Sequence, residues 1–402
     1  MKTFSQPTIK SPAKRFSDLP TYAFAELDRL KAIAVAQGIK LIDLGMGNPD
    51  QPAPSPIVAE ISNSLQDPAN HRYPNFRGKP AYRKAVTGWM HRRYGITTLD
   101  PDHHVQPLIG SKEGLAHLSF AYIDQNDYSL VPSPYYPVHS RATWIAGGQV
   151  HHLPLKAENQ FLPDLTEIPD SIAKQAKLFF VNFPNNPTTA TADKTFYEKL
   201  VAFCQQHQIV LVSDLAYGEI YYDEADAPLS IFNIDGAMDV AIEFHSFSKS
   251  FSMAGFRVGF AVGNPDIINT LYAIKTNLDY GLPSIIQDGA TYALNHAESF
   301  LPDIVTQYKK RRDTVVSGFQ KLGWPIELPK ATMYVWLPVP GGFETSTAFC
   351  EYLIEKAGIV ITPGSAFGTE GEGYFRVSLV SSCTILEEAL ERLSKLGIRY
   401  KS

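Results

Sequence analysis

The chain has 402 residues, 44% of them hydrophobic and 19% charged, a globular composition that excludes disorder and fibrous repeats and leaves room for two or three domains of about 100–200 residues. Lys and Arg total 36 against 41 Asp and Glu, giving a formal charge of -5 with no basic block, which argues against nucleic acid or an anionic membrane surface as a partner. Three dispersed cysteines (Cys204, Cys350 and Cys383) make neither a disulfide framework nor a Cys-x-x-Cys zinc site, and no apolar run approaches 18 residues; the expectation is a soluble, cytoplasmic protein.

In chain order, residues 1–14 lack periodic apolar positions and read as an N-terminal arm. Ala23, Leu27, Leu30 and Ala34 then recur at helical spacing, with Gly38 as a stop. A short apolar run at 41–44 ends in the turn-rich Gly45-Met46-Gly47-Asn48-Pro49, and a Pro- and Gly-punctuated loop near 72–80 carries Tyr73, Phe76 and Arg77. From about residue 105, short apolar runs at 105–109, 129–131, 178–182, 209–212, 240–244 and 258–262 alternate with helical stretches such as 115–123 and 194–207. That alternation predicts an α/β fold with a mainly parallel, doubly wound sheet. A long helix at 302–322 follows, then runs at 334–337, 359–361 and 375–379 around a helix at 345–357, and a final helix. They predict a smaller α+β domain. The expected division is an arm over 1–14, a small domain from 15–48 and 295–402, and a large domain over 49–294.

Ligands of open α/β sheets sit at the carboxyl ends of the strands, so the chemistry is sought where each run stops. Run 105–109 ends in Gly110-Ser111-Lys112-Glu113-Gly114 before a helix, a turn that can hold phosphate on backbone N–H groups or merely cap the helix. Run 178–182 ends in Asn185-Asn186-Pro187, a turn signal first. Run 209–212 delivers Asp214, whose carboxylate needs either a basic side chain or a protonated ring nitrogen as partner. Run 240–244 leads to Ser246, Ser248 and Lys249, with Arg257 eight positions later, and a desolvated lysine beside another cation becomes a usable amine nucleophile. An anion turn, an amide, a carboxylate with a tyrosine, and a lysine with an arginine together describe a site for a phosphorylated aldehyde with a pyridinium nitrogen.

The order Asn186-Pro187-Thr188, Asp214-x-x-Tyr217, Ser246-x-Ser248-Lys249, Arg257-x-Gly259 and Arg376 resembles the fold-type-I, class I/II aminotransferases that depend on pyridoxal phosphate, over essentially the whole chain from about residue 15. Within that family it resembles most the bacterial glutamate–pyruvate (alanine) aminotransferases, through Arg15-Phe16-Ser17-Asp18-Leu19-Pro20, Asp43-Leu44-Gly45-Met46-Gly47-Asn48-Pro49-Asp50, Gly110-Ser111-Lys112-Glu113-Gly114 and Lys330-Ala331-Thr332-Met333-Tyr334. The resemblance implies that the large domain binds pyridoxal 5'-phosphate, with Lys249 binding its aldehyde and moving protons and Asp214 keeping its ring nitrogen protonated. It implies that Asn186 and Tyr217 hydrogen-bond the phenolic oxygen. Ser111, the Lys112 and Glu113 backbone amides, Ser246, Ser248 and Arg257 would cradle the phosphate. Tyr136, otherwise a core aromatic, would stack on the ring. Arg376, with a backbone contact from Gly47, would grip the substrate α-carboxylate bidentately. Tyr73, otherwise a surface tyrosine, would reach the neighbouring subunit's phosphate, which implies a homodimer with shared sites.

Two departures stand out. Thr189-Ala190 replaces the family's usual glycine after Asn-Pro-Thr, and 277–281 (Asn-Leu-Asp-Tyr-Gly) holds no second arginine for a side-chain carboxylate. The implied activity is ping-pong transamination, with alanine or glutamate and pyruvate or 2-oxoglutarate as substrates. Aspartate or LL-diaminopimelate aminotransferase is the alternative. A non-catalytic, cofactor-binding regulator would need a DNA-binding module, and the N-terminal arm is too short and not basic.

Overall fold

The structure is a computed structural model and describes residues 10–17, 19 and 23–400. The first nine residues of the expected arm lie outside the described residues, as do Asp18 and Pro20 of the Arg15–Pro20 motif.

Seven strands form the main sheet: β2 (Val105–Leu108), β3 (Tyr128–Ser133), β4 (Gln149–Pro154), β5 (Ala176–Val181), β6 (Val210–Asp214), β7 (Ala241–Ser246) and β8 (Gly259–Gly263), while β1 (Ile42–Asp43) lies elsewhere. Their order is β2-β8-β7-β6-β5-β3-β4. β4, β3, β5, β6 and β7 run parallel to one another, and β8 lies antiparallel to both β7 and β2. The reversal at β8 follows from chain length, since an antiparallel neighbour needs no helical crossover and only 247–258 separates it from β7. The pleat shows the double winding directly. Leu178 and Phe180 pack on one face with Leu115, Leu118 and Ile268, while Phe179 and Val181 pack on the other with Leu200 and Cys204. The one strand of this sheet not foreseen, β4, is an edge whose Gln-Val-His-His-Leu-Pro sequence is only partly buried, so its apolar run is too broken to read.

The C-terminal region builds a three-stranded antiparallel sheet in the order β11-β12-β9, from β9 (Tyr334–Pro338), β11 (Thr362–Pro363) and β12 (Tyr374–Ser378). β10 (Ile359–Val360) pairs in parallel with β1, which brings residues 42–44 into the same layer. Helices Leu301–Lys321, Ser346–Ala357 and Cys383–Lys395 close this core with Val315, Phe319, Phe349, Leu353, Leu386 and Leu393. Tyr217 and Ile220, just past the end of β6, bury into the same cluster, so the two regions meet where the main sheet ends. Among the described residues no helix is long and apolar enough to cross a membrane.

One ion pair ties the chain before the main sheet to the C-terminal region. Arg311, 2% exposed, holds both oxygens of Asp50 at 2.7 and 2.8 Å and donates to the Leu379 carbonyl at 2.9 Å. Burial opposes ionisation of Asp50, but the Arg311 hydrogen bonds prevail and hold its carboxyl below the usual range. A lowered folded-state pKa means stability that is present above the unfolded value and lost as pH falls through the folded one. Asp50→Ala should therefore strand a buried guanidinium and lower unfolding free energy by about 2–4 kcal/mol. Chemical denaturation at pH 7 should show the loss, and the gap from wild type should narrow below about pH 4.

Candidate active site

Five parallel strands point their carboxyl ends to one side, and a cavity of about 250 Å³ opens there. Its walls include Gly47, Ser111, Lys112, Tyr136, Asn186, Asp214, Tyr217, Ser246, Ser248, Lys249, Arg257 and Arg376, so residues separated by more than 300 positions converge.

At one end the walls are built for an anion. Ser111 is the first residue of helix Ser111–Tyr122, and Gly110, at φ 80°, holds the capping position without a side-chain cap. The serine is therefore not the cap, and it faces the cavity. A Cβ on Gly110 would sit 2.6 Å from Arg257 Nη2, and one on Gly259 would sit 3.1 Å from the Ser111 nitrogen and 2.6 Å from the His245 carbonyl. Gly110 thus lets the Arg257 guanidinium lie directly against the helix N-terminus, and Gly259 lets its strand pack on the Ser111 backbone; the N–H groups there favour negative charge. Ser246 ends β7 and accepts from the Ser248 N–H at 3.2 Å, capping the short helix Phe247–Ser250 that carries Lys249. Lys112 also projects here, and burial, then Arg257 and Arg141, push its ammonium pKa down.

Deeper in, Asp214 ends β6 with its carboxylate buried. One oxygen lies 3.1 Å from His139 Nε2, and the Asn182 amide donates to the main-chain carbonyl at 2.7 Å. The other oxygen, Oδ1, is buried and has no partner among the described residues. An unpaired buried carboxylate oxygen is costly unless a ligand supplies a donor, and a protonated ring nitrogen is such a donor.

Lys249 Nζ donates to the Gly47 carbonyl at 2.5 Å. Burial lowers its pKa; Tyr334 opposes the shift, and Arg376 and Arg257 reinforce it, so the amine gives up its proton more readily than a surface lysine. Arg376, 2% exposed on β12, donates to Asn186 Oδ1 and to the Gly45 carbonyl, each at 2.6 Å. Its guanidinium also lies 4.1 Å from the Tyr334 ring centroid and 4.7 Å from that of Phe367. The Tyr217 and Tyr334 hydroxyls are 3.0 Å apart, and burial together with that neighbour raises the Tyr217 phenol well above the usual range.

The cavity also holds residues that the sequence reading passed over. Tyr334 sits in an apolar string that reads as core and Phe367 in a glycine-rich loop with no motif to mark it, yet a Cβ on Gly47 would fall 2.0 Å from Tyr334 Oη, which explains that glycine. His139 lies inside a helix with no motif to mark it. Two expected residues stand apart. The Glu113 side chain turns away and accepts from buried Lys275 at 2.5 Å and from the Ile109 N–H at 3.1 Å, because an ammonium buried there needs a carboxylate; the resemblance names only its backbone amide for the phosphate. Tyr73 is 79% exposed and stacks on Tyr280 at 4.3 Å, away from this chain's own cavity. Segment 277–281 lies beside Tyr73 through the Tyr280 ring, with Asp279 on Lys275 at 3.2 Å.

The chain matches the family model described as aminotransferase class I and II over residues 39–393. The chain belongs to the class I and II aminotransferases. It is 48% identical over 388 residues to LL-diaminopimelate aminotransferase 2 of Trichormus variabilis, an alignment covering 96% of this chain and 99% of that one. It is 46% identical to the LL-diaminopimelate aminotransferase of Moorella thermoacetica over 384 residues, 96% of this chain and 98% of that one. Among solved structures, substrate-bound BacF from Bacillus subtilis superposes with a TM-score of 0.93 at 36% identity, covering 98% of this chain and all of the other. This aminotransferase is a pyridoxal-phosphate-dependent transaminase of fold type I, acting on amino acids and 2-oxo acids. The cavity fits that cofactor: Asp214 Oδ1 awaits a donor, and the Ser111 turn with Arg257 awaits an anion.

The turn that departs from the family pattern is strained. Thr189 takes φ 64°, a left-handed conformation, while its N–H donates to the Asn185 carbonyl at 3.0 Å. A β-branched residue there costs about 1–2 kcal/mol, which a glycine partly returns as unfolded-chain entropy. Thr189→Gly should raise the unfolding free energy by about 0.5–1 kcal/mol, read from denaturant midpoints at constant slope.

Proposed function

We propose that this aminotransferase moves an amino group between LL-diaminopimelate and a 2-oxo acid such as 2-oxoglutarate. Full-length identity of 48% to an LL-diaminopimelate aminotransferase carries the substrate assignment, and similar relatives from other bacteria share that activity. They favour this alternative over the glutamate–pyruvate pairing that the motifs suggest.

When bound, the cofactor would supply an electron sink for charge developing at the substrate α-carbon. Ser111, Ser246, Ser248 and Arg257, with the Lys112 and Glu113 backbone amides, would hold its phosphate. Asp214 would hold its ring nitrogen, Asn186 and Tyr217 its phenolic oxygen, and Tyr136 its ring face. Arg376 is pinned in plane by Asn186 and Gly45 and sandwiched between two rings, so it meets the α-carboxylate already oriented. With its pKa lowered by burial, Lys249 is suited to take the α-proton onto Nζ and return it. We take residues 49–294 as the cofactor-holding domain and a homodimer as the working form, with exposed Tyr73 reaching the second copy's site.

Single-turnover absorbance of the loaded enzyme against LL-diaminopimelate, glutamate, alanine and aspartate tests the reading. Fast conversion with LL-diaminopimelate and glutamate is expected; fast conversion with alanine and none with LL-diaminopimelate would overturn it. Lys249→Ala should abolish turnover. Arg376→Lys, which loses the planar fork, should raise KM about tenfold or more for every amino acid tested.

A further inference from the structure

Loop 364–371 leaves the three-stranded sheet, covers the cavity and returns to β12. It carries Phe367, which is fully buried and lies over the Arg376 guanidinium. The loop is folded tightly on itself, since a Cβ on Gly364 would fall 1.9 Å from the Gly371 carbonyl. Its outer side is fastened to the end of β3. The Tyr135 N–H donates to the Phe367 carbonyl at 2.8 Å, and Ser133 Oγ donates to Glu370 Oε2 at 2.5 Å. Gly368, at φ 119°, presses so closely that a Cβ there would lie 2.6 Å from Ser133 Oγ and 2.9 Å from the Tyr135 ring. His152 on β4 stacks on that ring at 4.9 Å and faces the Glu370 carboxylate. The next residue in the chain is Tyr136, the ring that lines the cavity.

We propose that Glu370, through Ser133, is a positioning residue for the amino-acid substrate: it latches the Phe367 loop to the end of β3 and so fixes the spacing between Tyr136 and Arg376. The inference rests on the reading of Arg376 as the carboxylate grip. Neither Glu370 nor Ser133 lines the cavity, so their action is indirect. A short hydrogen bond to a carboxylate is stronger than one between neutral groups, and one that spans 237 positions of chain joins parts that no local structure holds together. Without it, only the Tyr135–Phe367 backbone bond fastens the loop, Phe367 confines the guanidinium plane less tightly, and the substrate must complete the ordering of the site as it binds.

The test compares Glu370→Ala, Ser133→Ala, the double variant and Glu370→Gln as loaded holoenzymes. The two alanine variants should each raise the amino-donor KM about tenfold, with kcat and cofactor affinity within about twofold of wild type. The double variant should be no worse than either single one, because both remove the same bond. Glu370→Gln, which keeps an acceptor for Ser133, should recover most of the loss. Unchanged KM in both alanine variants would overturn the latch. So would a parallel fall of kcat, cofactor affinity and melting temperature, which would mark Glu370 as structural only. Arg376→Lys serves as the control: if it leaves KM unchanged, the carboxylate assignment fails first, whereas a raised KM there beside an unmoved Glu370→Ala sinks only the latch.

Discussion

Four cationic side chains, Lys112, Lys249, Arg257 and Arg376, share the cavity wall with a single carboxylate, Asp214. Like charges so close repel, and burial strengthens the repulsion because little water screens them. The rest of the architecture reads as the means of holding that arrangement. Gly110 admits Arg257 to the helix N-terminus, and Gly259 admits β8 beside it. The Gly45 and Gly47 carbonyls and the Asn186 amide oxygen take up N–H donors from Arg376 and Lys249. Anions complete the balance, and a phosphorylated cofactor with a carboxylate substrate supplies them.

The uneven charge also accounts for how the two regions of the molecule divide the work. The main sheet contributes strand ends, which are rigid because β5 and β6 are buried on both faces. The three-stranded sheet contributes Arg376 and Tyr334 from adjacent strands, with Arg376 paired across from Trp336. A site divided this way needs fixed spacing between its halves. Tyr217, Ile220 and the Arg311–Asp50 pair supply contacts across the join.

Much of this was legible in the sequence, for identifiable physical reasons. Asp214 and Lys249 are charged residues placed where apolar strands end, and a charge there demands an explanation. The main strands announced themselves as short apolar runs because helices cover both of their faces. What escaped were residues whose role differs from their type. Tyr334 lies amid apolar neighbours and Phe367 in a glycine-rich loop, and neither announces a role until the Arg376 guanidinium is found against both rings. Glu113 was read with its turn, but the buried Lys275 that claims its side chain lies 162 positions away. β4 escaped because it is an edge strand in which only Leu153 is fully buried, so no apolar run marks it. The substrate is a separate matter. The carboxylate and amine ends are common to all α-amino acids, so motifs that serve them speak for the reaction and say little about the side chain.

The Gly45 carbonyl accepts from Arg376, from Thr362 Oγ1 at 2.7 Å and from Ser378 Oγ at 3.2 Å. Those partners lie 331, 317 and 333 positions further along the chain. In a chain that emerges from its N-terminus, strand ends from β2 to β7 can assemble while the last quarter is still being made. The carbonyl that anchors Arg376 must wait for its donors until the final strands arrive. On the roles proposed above, the order of synthesis would make the cofactor cradle an early structure and recognition of the substrate carboxylate the last element to form.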